Sequence, residues 1–258
     1  MRRRYVTLDV FTRQRFCGNP LAVVFESESL DTAAMQTIAR EFNYPETVFV
    51  LPAAERLRRA KLRIFTPANE LPFAGHPTVG AAVALARADG GPGQNFTVEE
   101  NVGPVECVVK LTGPDSGHAT FTLPQLPAQS AQAPEPEAAA AALGLSAADI
   151  GGGLTAGCWS AGVPFVFVPI RNLAAMAKAR PDPTRFEAAF GIGGPGRAYL
   201  VCRETADPGS AFHARMFAPA MGIPEDPATG SAVAAFAGLL AAHARLADGD
   251  HSFRIEQG

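Results

Sequence analysis

Arg63-Ile-Phe-Thr-Pro-Ala-Asn-Glu-Leu-Pro72 returns later in the chain as Arg215-Met-Phe-Ala-Pro-Ala-Met-Gly-Ile-Pro224, with five of ten positions identical. After a short length difference the likeness resumes. His76-Pro-Thr-Val-Gly-Ala-Ala-Val-Ala84 pairs with Asp226-Pro-Ala-Thr-Gly-Ser-Ala-Val-Ala234, five of nine identical. Each copy reads as a strand, a Pro-rich turn, a glycine and then an Ala/Val-rich helix. Ordered identity of this length is more than an Ala- and Pro-rich composition gives by chance, so the chain reads as a duplication. The helices, Thr78 to Ala88 and Thr229 to Ala242, are small or apolar on nearly every face. A helix apolar all round is buried all round, and a sheet wrapped about it buries it that way.

The surrounding sequence supplies the strands. Tyr5–Phe11, Leu21–Glu26, Thr47–Leu51, Lys61–Thr66, Asn95–Glu100, Val105–Leu111 and Ala119–Leu123 are rich in Val, Phe, Thr and Leu, as are Pro164–Pro169, Arg197–Arg203 and Ala211–Phe217. Asp31 to Phe42 has an N-cap aspartate and apolar residues (Ala34, Ile38, Phe42) spaced for one helical face. Residues 124–136, rich in Pro, Gln, Ala and Ser, read as a linker, and Glu137 to Leu143 as a helix. The expected fold is α+β: two similar halves, residues 1–127 and 128–258, each a mainly antiparallel β-barrel wrapped around a central helix.

Composition removes several function classes. The 258 residues are 47% hydrophobic and 18% charged, with a formal net charge of -3. That leaves no basic footprint for nucleic acid. No run of 18 apolar residues is present to span a membrane. Arg2, Arg3 and Arg4 are not followed by the apolar region of a secretory signal. The four cysteines are therefore read as reduced and the protein as cytoplasmic. Neither they nor the five scattered histidines show metal-ligand spacing, so no metal is expected. No GxGxxG after a strand, GxxxxGK[ST] or GxSxG is present for a nucleotide, flavin or serine nucleophile.

A duplicated fold has a natural cleft where its halves face each other, and binding sites favour such places. The repeat sets a helix N-terminus in each half, with exposed N–H donors and partial positive charge suited to a carboxylate. Gly75 and Gly230 would let a ligand approach the backbone, and Ser231 would add a hydroxyl donor. His76 and Asp226 occupy paired positions before a proline; alone each reads as a turn residue or cap. Glu46, in Asn43-Tyr-Pro-Glu-Thr-Val-Phe-Val50, opens an apolar strand. Alone it reads as a surface residue; dehydrated beside Phe49 it would become a general base. Cys17 reads as a buried small hydrophobe, and Cys158 and Trp159 as packing.

At these residues the sequence resembles the PhzF-like phenazine-biosynthesis family, of diaminopimelate-epimerase-like fold. The resemblance rests on Asp9-Val-Phe11 with Gly18-Asn-Pro-Leu-Ala-Val23, Glu46-Thr-Val-Phe49, Phe73-Ala-Gly-His-Pro-Thr-Val-Gly80 and Glu225-Asp-Pro-Ala-Thr-Gly-Ser-Ala232. It implies two barrels around central helices, a homodimer and no cofactor. It makes Glu46 the proton-shuttling glutamate and His76, Asp226 and Ser231 substrate-site residues, with Gly75 and Gly230 beside them. Asn19, within Gly18-Asn-Pro20, joins the substrate-binding candidates. Family members usually continue beyond a pair like Gln257-Gly258 with a Gly-Arg-Pro-Ser segment and a last strand, which this sequence does not contain.

The implied reaction is a proton transfer on a small carboxylate, such as isomerisation of trans-2,3-dihydro-3-hydroxyanthranilate. An amino-acid epimerase or racemase on the same fold, and a non-catalytic metabolite-binding protein, are the alternatives.

Overall fold

The computed structural model describes residues 2–244 and 246–258, and the chain divides into two compact units, Met1–Gln125 and Leu126–Gly258. In the first, strands β1 (Tyr5–Val10), β2 (Asn19–Val24), β3 (Glu46–Leu51), β4 (Ala60–Phe65), β5 (Glu70–Leu71), β6 (Gly93–Glu100), β7 (Gly103–Gly113) and β8 (Ser116–Phe121) accompany helices α1 (Thr32–Phe42) and α2 (Gly75–Asp89). The sheet runs β1-β2-β3-β4-β6-β7-β8, with β5 beside β4. Pairing is antiparallel except for β2–β3 and β4–β6, which are parallel. Such pairs need a crossover, and the two crossovers contain α1 and α2.

Helix α2 packs on β1, β2 and β3 and also on β7 and β8. The sheet therefore curls about the helix, as its apolar circumference requires. Leu21, Val23, Val48, Ile64, Val98, Val105 and Val109 enclose Ala81, Ala82 and Leu85 in one core. The strand order is an open path among the described residues, so the sheet wraps the helix without closing on itself. Helix α1 lies elsewhere on the sheet, over Phe49 and Phe65, with the Asp31 carboxylate accepting from the Ala34 N–H at 2.8 Å.

The second unit holds β9 (Ala128–Ala131), α3 (Pro136–Ala142), β10 (Gly157–Ser160), β11 (Pro164–Pro169), α4 (Leu173–Lys178), α5 (Phe186–Phe190), β12 (Ala198–Cys202), β13 (Phe212–Ala218), β14 (Ile223–Asp226), α6 (Gly230–His243) and β15 (Ile255–Gln257). Its pairings reproduce the first unit's alternation. The pairs β10–β11, β12–β13 and β13–β14 are antiparallel, while β11–β12 and β13–β15 are parallel. Central helix α6 buries Phe236, whose ring stacks on Phe167 at 5.5 Å and meets Phe212 edge-on at 5.1 Å.

The structure corrects the sequence reading in several places. The supposed linker contains β9, which pairs with β10. Helix α2 begins at Gly75, ahead of the expected start, because a proline in the first helical turn forfeits no intrahelical bond. Cys17 is exposed rather than buried. The short strands β5, β10, β14 and β15 went unrecognised.

The duplication carries an ion pair that the sequence alignment misregistered. Arg63 grips Glu70 with two bonds of 2.8 and 2.6 Å, and Arg215 grips Glu225 with bonds of 2.6 and 2.8 Å. Arg215 also donates to the Met176 and Ala179 carbonyls at the end of α4, at 2.7 and 3.1 Å. Removing a nearly buried guanidinium strands these acceptors. Arg215→Ala should destabilise the protein by about 3 kcal/mol, read from the midpoint of urea unfolding.

Candidate active site

Parallel pairing of β2 with β3 sets the beginnings of both strands at one edge of the first unit's sheet, with Leu21 opposite Glu46. The turn into β2 requires Gly18. Its φ is +71°, and a Cβ there would lie 2.2 Å from the Val10 carbonyl oxygen. The loop is held by the Asp9 carboxylate, which accepts from the Phe16 N–H at 2.8 Å. Asn19 then enters β2 fully buried.

Helix α2 brings Gly75 and His76 to the same place. His76 is bonded to the Pro20 backbone, and its Nε2 lies 3.3 Å from Glu46 Oε2, the two side chains being 4% and 13% exposed. Asn19, Glu46, Gly75 and His76, expected from sequence to serve one site, are thus gathered within one unit.

Burial dominates the chemistry of His76. It pushes the imidazole pKa down to about 3, against a smaller opposing effect of the Pro20 bond, so the ring is neutral at physiological pH. With Nε2 making no formal hydrogen bond, the other ring nitrogen serves Pro20 and must carry the proton to do so. Nε2 is then an acceptor facing the carboxyl group of Glu46. So weak a base carries no proton of its own at physiological pH.

The depressed value also sets a stability trend. Between pH 6.5 and 3 the unfolded chain takes a proton on this histidine that the native fold refuses, so the contribution is intact above 6.5 and is lost on acidification. Thermal melts of the parent should fall more steeply from pH 7 to 4 than those of His76→Gln.

In the second unit Asp226 ends β14 and is buried, while Gly230 and Ser231 open α6. His76 and Asp226 are therefore not equivalent: one lies in the first helical turn, the other at a strand end four positions before its helix. The intervening segment is fastened by Gln257 of β15. Its amide donates to the Asp226 carbonyl at 2.7 Å and to Thr229 Oγ1 at 2.9 Å, and accepts from the Thr229 N–H at 3.0 Å. Thr229 in turn donates its hydroxyl to the Asp226 carboxylate. Sequence reading passed over Gln257 and Thr229 as ligands of this segment. Neither α2 nor α6 has a side-chain cap at its start.

The sequence model of the phenazine biosynthesis-like protein family (PhzC-PhzF) matches residues 8–258. The chain belongs to that family. Among relatives of this PhzC-PhzF member, an uncharacterized isomerase of Mesorhizobium japonicum is 47% identical over 99% of this chain and 86% of its own. A trans-2,3-dihydro-3-hydroxyanthranilate isomerase of Pseudomonas aeruginosa is 35% identical over 99% of this chain and 85% of its own. The crystal structure of a PhzF-family phenazine biosynthesis protein from Bacillus anthracis superposes with a TM-score of 0.82 at 27% identity, covering 96% of this chain and 83% of that one. Among the described residues of this PhzC-PhzF protein no cluster of three or more His, Cys, Asp or Glu side chains is placed to hold a metal ion, and no helix is long and apolar enough to cross a membrane.

Proposed function

We propose that this enzyme is a cofactor-independent isomerase that moves a proton within a small carboxylate, of the trans-2,3-dihydro-3-hydroxyanthranilate type, with Glu46 as the acid/base. The observation that carries the reading is the 3.3 Å approach of Glu46 to a buried, neutral His76 beside the uncapped start of α2.

In this reaction Glu46 takes the proton from C3, and the C3–H electron pair shifts through the two conjugated double bonds, C4=C5 moving to C3=C4 and C6=C1 to C5=C6, leaving the electron pair at C1. The Glu46 acid so formed has a waiting acceptor in His76 Nε2, too weak a base to keep the proton. Glu46 then returns it to C1, so one carboxyl group serves as base and then acid. The N–H groups at the start of α2 favour the substrate's carboxylate. We also propose Asn19 and, in the second unit, Asp226, Gly230 and Ser231 as substrate-binding residues.

The two ends of this transfer are one proton leaving and one arriving at the same carboxyl. Turnover of trans-2,3-dihydro-3-hydroxyanthranilate in deuterium oxide should therefore give product with less than one solvent deuterium at C1. Full labelling, or no turnover, overturns the reading. Solvent label appearing at the α-carbon of an amino acid would indicate an epimerase instead.

A further inference from the structure

We infer that Glu100 is a protonated carboxylic acid in the folded enzyme and serves as a positioning residue, passing a hydrogen bond through Thr78 to the Ala74 carbonyl and so ordering the Gly75-His76 start of α2. Thr78 Oγ1 lies 2.8 Å from the Ala74 carbonyl oxygen and 2.7 Å from Glu100 Oε1. A carbonyl only accepts, and a threonine hydroxyl has one proton to give. With that proton on Ala74, the short contact to Glu100 takes its proton from the carboxyl group.

The surroundings agree. Glu100 ends β6 and is 5% exposed, and its second oxygen is buried without a hydrogen-bond partner. Burial pushes its pKa up to about 8, the Thr78 contact opposing more weakly. From β7 it is faced by the Cys107 thiol, itself pushed up to about 12 by burial first and Glu100 second, and from α2 by Thr78. Glu99 belongs to another network, its carboxylate accepting from the Ala54 and Glu55 N–H groups near Arg58. His76 stays neutral through this range, so Glu100 is the group that titrates here.

The consequence for the site rests on the proposed function. A bond accepted by the Ala74 carbonyl polarises the peptide that carries the Gly75 N–H, making that group a better donor to an anion. Ionised Glu100 instead draws the Thr78 hydroxyl to itself and sets a buried negative charge near the helix start. Binding of a carboxylate then weakens as the pH rises through about 8. Stability follows the same sign. Between pH 4.5 and 8 the native fold holds a proton that the unfolded chain has released, so this contribution is full below 4.5 and lost as the pH passes 8.

The test uses the full chain without ligand. Labelled at glutamate carboxyls, the protein should show one protonated carboxylic acid at pH 6.5 that is missing in Glu100→Gln. Its Gly75 and His76 amide resonances should move with a midpoint near pH 8 in the parent and stay still in the variant, whose amide donates to Thr78 at every pH. Thr78→Val, which breaks the relay and leaves the acid, should keep the carboxyl titration and reduce the two amide shifts to the part due to Glu100's charge alone. An ionised Glu100 at pH 6.5, or amides indifferent to both substitutions, overturns the inference. In a parallel arm, 3-hydroxyanthranilate should bind about tenfold more weakly at pH 9 than at pH 7 to the parent and equally to Glu100→Gln. No binding at either pH would count against the proposed function, while the amide titration still decides the case for Glu100.

Discussion

Glu46→Gln is expected to lower kcat for trans-2,3-dihydro-3-hydroxyanthranilate by about a thousandfold, within the range general acid–base groups supply. The amide is nearly isosteric and keeps its place at the head of β3. It neither accepts a proton from carbon nor returns one, so the loss falls on both halves of the transfer. Binding should survive, because the start of α2, with its N–H donors, is untouched. Steady-state kinetics with a separate measurement of ligand affinity checks this: kcat collapses while Kd for 3-hydroxyanthranilate changes less than about threefold. Turnover at the parent rate would remove Glu46 from the chemistry.

Phe236→Ala should cost about 4 kcal/mol of stability, the range for emptying a large aromatic site in a core. Phe236 is 1% exposed, and its ring is held between Phe167 of β11 and Phe212 of β13. These neighbours are strand residues with fixed backbones, so the cavity is slow to collapse. Chemical unfolding should show a lower midpoint with an unchanged dependence on denaturant. Phe236→Leu, which refills most of the volume, should recover about half the loss. A cost below about 1 kcal/mol would mean that α6 shifts to fill the hole and is less firmly seated than its packing indicates.

The strand–turn–helix repeat was legible because both copies kept the residues that backbone geometry demands. Arg63 and Arg215, and the apolar helices behind them, fell into place. What escaped was short or long-range. β15 has three residues and earns its place only by lying parallel to β13; no local pattern announces it, nor the reach of Gln257 to Thr229. Glu70 and Glu225 were missed as partners of equivalent arginines because the turn differs in length between copies. Glu46 and His76 were candidates from the strand opening and the repeat, and the resemblance gave them roles, but their approach depends on parallel strand register, which residues 46 and 76 do not encode. Glu100 did leave a trace. Phe96, Val98 and Glu100 alternate along β6 and share its inward face. Read strictly, that alternation places a carboxyl group in the core.

The Gln257 fastening of Asp226 has a temporal consequence. The partner residues are 31 positions apart. On a ribosome adding about 5–20 residues per second, the segment around Asp226 emerges some 2–6 s before the side chain that ties it. The first unit, by then wholly synthesised, already holds every residue that the Glu46–His76 approach requires. In a growing polypeptide, therefore, that pair has all its parts early, and the aspartate segment stays untied until translation reaches β15.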